Sequence, residues 1–512
     1  MQKHSKHIIV LDVGTQSMRA VLFNRHGEIV TLSQESYDSI FEGQKVEQDP
    51  RNWKNALIST LSTVGTYIKN HNLDVEAISV TSQRASIIPV TKQNKVLYNA
   101  VMWQDRRSYV QCDQVKEKTS MKFLYDKTGL RLDSYFSAPK IKWLKENMRD
   151  VYNDAHKIIG VQDYITHLLT ERFVTDHSQA ARTMLMNIHT FEWDKELIEA
   201  FGLDASILPE LVPPGSNVGN LTAFIHEKTG LPRTIKVILA GGDQQCAAVG
   251  LDVLSPGTLE ANIGTGSFII AYAEEPVFDE NMRVICSASA VPGKWIVEAG
   301  LLTSGNIYEW YNKNFYPDEQ KRENRFNAIN SDVETAPAGA NNLIMIPHFK
   351  GSAAPYWNPL STGMFFNTTL EHTRGDFARS ILEGIAYEMS ENIELIEKLV
   401  GYVDIIHAAG GLTNFKTFNQ IQSDVFNKAV SVYDSSEATA LGALISALCE
   451  SGDYSTHKEA FQSLRGESAK QTFHANTRNV ATYLKLKRAK KHLYHAVNDA
   501  HIFEYMAQQS KR

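Results

Sequence analysis

The apolar positions from Ile8 to Phe23 (IIVLDVGTQSMRAVLF) form two runs flanking Asp12-Val13-Gly14-Thr15. This pattern predicts a buried strand, a tight turn and a returning strand. The theme recurs at Ile263-Gly264-Thr265-Gly266-Ser267, again with apolar residues on both sides. Between them, VILAGGD reads as a buried strand ending at Asp243, and Ala77 to Val90 (AISVTSQRASIIPV) as a strand pair interrupted at Ser82-Gln83-Arg84. Helical spacing marks Trp53 to Asn70, and Phe377 to Val400 with Ile381, Ile385, Met389, Ile393 and Ile396 on one side. Tyr135 to Asn147 begins another helix, with Ser137 and Pro139 at its entry. A strand, DIIHAAGG, runs into Gly410 and Gly411 at the mouth of a helix, where the missing Cβ permits close approach to a ligand. Pro209 to Asn220 reads as a surface connection, and the basic stretch from Thr477 as a solvated terminal helix.

Bulk properties narrow the class only a little. At about 150 residues per domain, 512 residues give either three domains or two large α/β lobes. We draw the boundaries at 1–252, 253–476 and 477–512, because Ser255-Pro256-Gly257 interrupts the pattern before a new series of strands. A hydrophobic share of 43% and a charged share of 21% describe an ordinary globular chain. A net charge of -6 gives no electrostatic footprint for nucleic acid. Cys112, Cys246, Cys286 and Cys449 show no metal-ligand or disulfide spacing, which points to a reducing cytoplasm. No signal h-region precedes Asp12, and no apolar run reaches the roughly 18 residues of a membrane span.

The two Gly-Thr turns carry the chemistry. A DxGT turn presents the amides of Gly14, Thr15 and Gln16 to a terminal phosphate, or is simply a capped β-turn. Asp12 beside it suits Mg²⁺ held through water, and Arg19 is a phosphate contact or a surface cation. Thr265 and Gly266 offer a second amide-rich turn facing the first, although a lone Gly-Thr-Gly is also a common hairpin. Asp243 ends a buried strand, where α/β sheets bind ligands, and is a candidate general base; the alternative is a helix N-cap. Arg84 and Trp103-Gln104-Asp105-Arg106-Arg107 suit a polyhydroxy substrate, an aromatic face covering C–H groups while guanidinium forks pair with hydroxyls. Taken singly, Trp103 also fits a core position and the arginines a surface.

In combination these motifs resemble the FGGY carbohydrate kinase family. LDVGT, WQDRR, GGDQQ and IGTGSF occur in the family's order, as do the helix entry YFSAPKIKWL and the stretch from Gly410 to Ala443. The resemblance implies a two-lobed actin/hexokinase/Hsp70-like ATPase fold with ribonuclease H-like lobes, and ATP with Mg²⁺ as cofactors. It implies Asp243 as catalytic base, Asp12 and Asp243 near the metal, and Gly14, Thr15, Gln16, Thr265 and Gly266 around the phosphates. Gly305, Gly410, Gly411 and Asn414 would line the adenosine portion, and Arg84, Trp103, Tyr135, Asp243, Gln244 and Phe268 the sugar or polyol site. MWQDRRS and APYWNP are similar to the glycerol kinase branch, which carries Arg followed by Glu where this chain has Arg84-Ala85. HEKTGLPRTIKVILAGGDQQ looks more like the sugar-kinase branches. The expected reaction is γ-phosphoryl transfer from ATP to a ketose or sugar alcohol, with glycerol as the first alternative. An actin- or chaperone-like ATPase without sugar phosphorylation is the second. The partners expected are a small sugar or polyol and a second copy in a homodimer, with neither nucleic acid nor membrane.

Overall fold

A computed structural model of the chain describes residues 6–319, 324–433, 437–465 and 470–509. The Ile8–Phe23 pattern folds as expected into β1 (His7–Val13) and β2 (Ser17–Phe23), antiparallel across the turn. With β3 (Ile29–Ser36), β4 (Val75–Ser82), β5 (Asn217–Asn220) and β6 (Lys236–Gly242) they form a sheet in the order β5-β6-β4-β1-β2-β3. β1, β4 and β6 run parallel, and they are nearly continuous buried runs because elements cover both faces.

The second sheet repeats this plan. It comprises β7 (Thr258–Ile263), β8 (Ser267–Ala273), β9 (Ile285–Ala288), β10 (Trp295–Leu301), β11 (Ile405–Ala409), β12 (Ala429–Tyr433) and β13 (Lys470–Phe473), ordered β9-β10-β8-β7-β11-β12-β13. β7 lies parallel to β11 and antiparallel to β8, as β1 lies parallel to β4 and antiparallel to β2. Both sheets therefore place a Gly-Thr turn after the first strand of an antiparallel hairpin, in keeping with ribonuclease H-like lobes.

Helices close the layers. Among them, α1 (Pro50–Asn70) starts where Asp49 accepts the Arg51 amide at 2.9 Å and Pro50 sets the first turn, and it buries Trp53, Leu57, Leu61, Val64 and Ile68 on the first sheet. α2 (Ser137–Asn147) follows the predicted entry, α3 (Asp243–Gly250) leaves β6, and α4 (Gly305–Phe315) follows β10. α5 (Arg374–Val400) begins in a Thr373–Asp376 capping box, and all five of its predicted stripe residues are buried in the core of the second sheet. α6 (Lys416–Phe426) follows β11, and α7 (Ala438–Glu450) crosses α3 at backbone contact. A Cβ on Gly442 would lie 1.9 Å from the Cys246 carbonyl oxygen, and one on Gly250 would lie 2.0 Å from that of Ala438. This crossing joins a helix of the first half of the chain to one of the second, over Ile8, Val10 and Val21 of the first sheet.

Three expectations change. The strand pair in Ala77–Val90 is two strands in different sheets, because after β4 the chain leaves the sheet and Ile88–Val90 pairs with Lys157–Ile159. Pro209–Asn220 is not merely a connection: Glu210–Val212 pairs with Val174–Asp176, and β5 forms a sheet edge, a place that tolerates polar residues. The basic helix α8 (Thr477–Asp499) is docked rather than solvated, burying Tyr483, Leu486, Lys490 and Tyr494. Lys490 Nζ donates to Glu388 at 2.9 Å and Glu391 at 3.1 Å. Burial alone would raise the Glu388 carboxyl, yet Lys490 and His348 hold it down to about 2. No helix among the described residues is long and apolar enough to cross a membrane.

Candidate active site

The two hairpin turns differ in what they leave available. In the first, the Gly14 amide donates to the Ser17 carbonyl at 2.9 Å and so closes the turn instead of facing a ligand, leaving half-buried Thr15 and exposed Gln16 at the tip. Thr15 is tied to its surroundings, its hydroxyl accepting from Trp103 Nε1 at 3.1 Å and its carbonyl from Gln48 Nε2 at 2.6 Å. In the second turn the Gly264 amide donates to the Gly266 carbonyl at 2.9 Å, with Thr265 exposed.

Glycines pack the second turn against its neighbours. The Gly305 amide, at the start of α4, donates to the Gly264 carbonyl at 3.0 Å, and a Cβ there would sit 2.4 Å from the same oxygen. A Cβ on Gly266 would meet the Leu301 carbonyl oxygen at 2.5 Å, and one on Gly410 that of Ile263 at 2.3 Å. Gly411 and Asn414 lie beside them in an exposed helical turn, with open space where a Gly411 side chain would stand. Thr265, Gly266, Gly305, Gly410, Gly411 and Asn414 are thus gathered at the ends of β7, β10 and β11.

Asp243 is the first residue of α3, and Gly242 is the N-cap, so the N-cap alternative does not hold. Its Oδ1 accepts its neighbour Gln244's amide at 2.7 Å and lies 3.4 Å from Arg84 Nε. Burial raises the Asp243 carboxyl above the ordinary aspartate value; Arg84 and the Gln244 amide offset part of this, and Asp12 adds to it. Asp12 is likewise raised by burial and partly offset by Arg19. The Arg19 guanidinium bridges Asp12 at 2.7 Å and Glu437 at 2.9 Å.

Trp103 and Tyr135 meet edge to face, 5.5 Å apart, on the side of Arg84. Phe268, on β8, is 46% exposed opposite Gly300 of β10. Two buried polar atoms here, Gln104 Oε1 and Gln244 Oε1, have no hydrogen-bond partner among the described residues. Such atoms are costly unless a ligand or water completes them. Arg106 and Arg107 do not join this set. Arg106 pairs with Asp133 at 2.5 Å, while Arg107 is held by buried Asp105 and by Glu47, each at 2.7 Å, and stacks on Trp143.

Two residues escaped the sequence reading. Glu298 on β10 forms an ion pair with Arg182 and lies 3.7 Å from Arg84 Nη1, so a carboxylate from the second sheet clamps two arginines attached to the first. Arg182 and Glu298 are 2% and 5% exposed, deep enough that either charge unpaired would be strongly destabilising. The available signal was a single charge inside each of two apolar stretches, WIVEAGL and ARTMLM.

Comparison with known proteins identifies the family. Residues 7–250 match the N-terminal domain, and residues 259–450 the C-terminal domain, of the FGGY family of carbohydrate kinases. The chain belongs to that family. It is similar to xylulose kinase of Bacillus subtilis (29% identity over 495 residues, 96% of this chain and 98% of the relative). It is also similar to glycerol kinase of Thermococcus gammatolerans (33% over 445 residues, 86% and 88%). Among solved structures, gluconate kinase from Lactobacillus acidophilus superposes with a TM-score of 0.89 at 25% identity, covering 96% of this chain and 98% of that one. The fold is that of the actin-like ATPases, and the protein is an ATP-dependent phosphotransferase acting on a hydroxyl of a sugar or polyol.

Proposed function

We propose that the acceptor is a ketose or sugar alcohol longer than glycerol, phosphorylated on a primary hydroxyl with Asp243 as general base. The observation that carries this reading is the convergence of Arg84 on Asp243 beside buried polar atoms lacking partners, Gln244 Oε1 among them. In this scheme the acceptor hydroxyl oxygen attacks the γ-phosphorus, the bond to the β-phosphate oxygen breaks, ADP leaves, and the hydroxyl proton passes to Asp243. Proton transfer is late in a loose transition state, so orientation by Asp243 and Arg84 matters more than basicity. Thr15, Gln16, Thr265 and Gly266 line the phosphate path, and Gly305, Gly410, Gly411 and Asn414 the adenosine side. Segments 1–252 and 253–476 act as lobes that exclude water on closing.

Asp12 and Asp243 are hard oxygen donors that lie close enough to repel each other, which suits one divalent cation. Mg²⁺ is usually held by one or two carboxylates, waters and substrate phosphates, and this pair could supply the carboxylates. Bound there, Mg²⁺ would neutralise phosphate charge. Four cysteines without disulfides fit a cytoplasmic enzyme.

Ala85 favours the longer acceptor. A glutamate expected in the glycerol branch is absent, which removes a group able to take glycerol hydroxyls. Ala85 borders a cavity of only about 30 Å³, lined also by Asp163, Gln179 and Thr183, which has room for a water and not for a carbon chain. ADP release measured over glycerol, erythritol, ketopentoses, ketohexoses and sugar acids tests this directly. The expected result is a higher kcat/KM for a ketose or sugar alcohol than for glycerol, and activity with glycerol alone would refute it.

A further inference from the structure

We propose that Lys140 is the positioning residue that fixes the sugar-facing segments Arg84-Ala85 and Tyr135-Phe136 relative to each other. Lys140 lies on α2, one turn after its start, and is fully buried. Its Nζ donates to the carbonyls of Ala85 at 3.3 Å and Phe136 at 3.1 Å, and to that of Tyr135. Three ammonium protons thus meet three main-chain oxygens, all of them on residues adjoining or bearing the side chains assigned to the sugar. The ammonium also lies 6.0 Å from the centre of the Tyr135 ring. Ala85 needs such a tie, because its φ of 65° is one that a residue with a Cβ seldom adopts. The turn that aims Arg84 at Asp243 is thereby anchored through its own carbonyl to the segment carrying Tyr135.

The charged and titratable groups facing Lys140 are Asp105, Arg106, Asp133 and the Cys112 thiol. Asp105 is paired with Arg107, and Arg106 with Asp133. Burial pushes the Cys112 thiol up to about 12, so it stays neutral across the working range. Burial pushes the Lys140 ammonium down to about 7, with Asp105 opposing. Above that pH the amine has two protons for three carbonyls, and one strut of the sugar site is lost. Stability moves the other way: the unfolded chain keeps a proton on this lysine up to its ordinary value of about 10.4, so this group's contribution to stability rises with pH over that window. A purely structural lysine would make sugar affinity and stability change together.

The proposal rests on the assignment of Arg84 and Tyr135 to the sugar. The test is steady-state kinetics and thermal unfolding of the full chain from about pH 6 to about pH 9, using the best substrate from the screen. For the wild type, the KM for sugar should rise several-fold above pH 7 while the KM for ATP stays level and the unfolding temperature does not fall in step. Lys140→Arg, which stays charged, should flatten that rise, and Lys140→Met should raise the sugar KM about tenfold at every pH, with ATP binding kept. A wild-type sugar KM that is flat with pH overturns the proposal even if Lys140→Met fails to fold. So does a folded Lys140→Met enzyme with an unchanged sugar KM. Absence of sugar-stimulated ADP release by the wild type would instead overturn the substrate assignment, and this proposal with it.

Discussion

Asp243 shows how much one position in a turn can set. As the first residue of a helix it lies where partial positive charge accumulates, next to Arg84, yet burial raises its carboxyl above the ordinary value. Only the deprotonated form can accept the hydroxyl proton. The rate should therefore fall on the acid side as this carboxyl is protonated, with bound Mg²⁺ moving that fall to lower pH, which pH profiles of kcat at two Mg²⁺ levels would reveal. Asp243→Asn should lower kcat by about 10²–10⁴-fold or more, with ATP affinity by calorimetry retained. Asp243, Arg84 and Trp103 stood out in the sequence as polar or amphipathic residues at strand ends, and Tyr135 came through the family resemblance. The pairing of Arg19 with Glu437 was not legible, because the two are remote in sequence. Glu298 and Arg182 were overlooked because an isolated charge in an apolar run betrays burial but not its counter-ion.

At the scale of elements, the hairpin turns and their supporting glycines are the best-specified features. Gly305 and Gly410 are glycine because a side chain would run into the carbonyls of Gly264 and Ile263. Gly305→Ala should displace the second turn, costing about 1–3 kcal/mol of stability and weakening ATP binding more than sugar binding. Denaturant unfolding with separate measurements of the two affinities checks this, and unchanged ATP affinity would separate the turn from the nucleotide. The amphipathic helices were readable from their 3.6-residue period. The docked face of α8 was not, since its buried Lys490 looks like any solvated lysine until Glu388 and Glu391 are brought to it. The interrupted run Ala77–Val90 was read as a pair because alternation reports strands but not partners.

Across the whole molecule, two sheets of matching order are joined by the α3–α7 crossing and by Glu298 held between Arg84 and Arg182. Glu298→Ala would leave two buried guanidinium groups facing each other with Asp243 as the nearby counter-charge. A loss of about 3–5 kcal/mol is expected by chemical denaturation. The variant should also broaden or split the calorimetric transition, because a buried tie between the halves is gone. A sharp single transition at wild-type stability would show that the α3–α7 contact alone couples them.

The order of motifs, the strand–turn–strand repeats and the helical stripes followed from local sequence, because steric preference and hydrophobic period act over a few residues. That was enough for the architecture and for the positions of Asp12, Asp243 and both Gly-Thr turns. Charge pairing came only from the folded chain. Arg84 with Asp243 and Glu298, Lys490 with Glu388, and Lys140 with the Ala85 carbonyl each join groups far apart in sequence, since the free energy of a buried charge depends on which partner the fold sets within hydrogen-bonding reach.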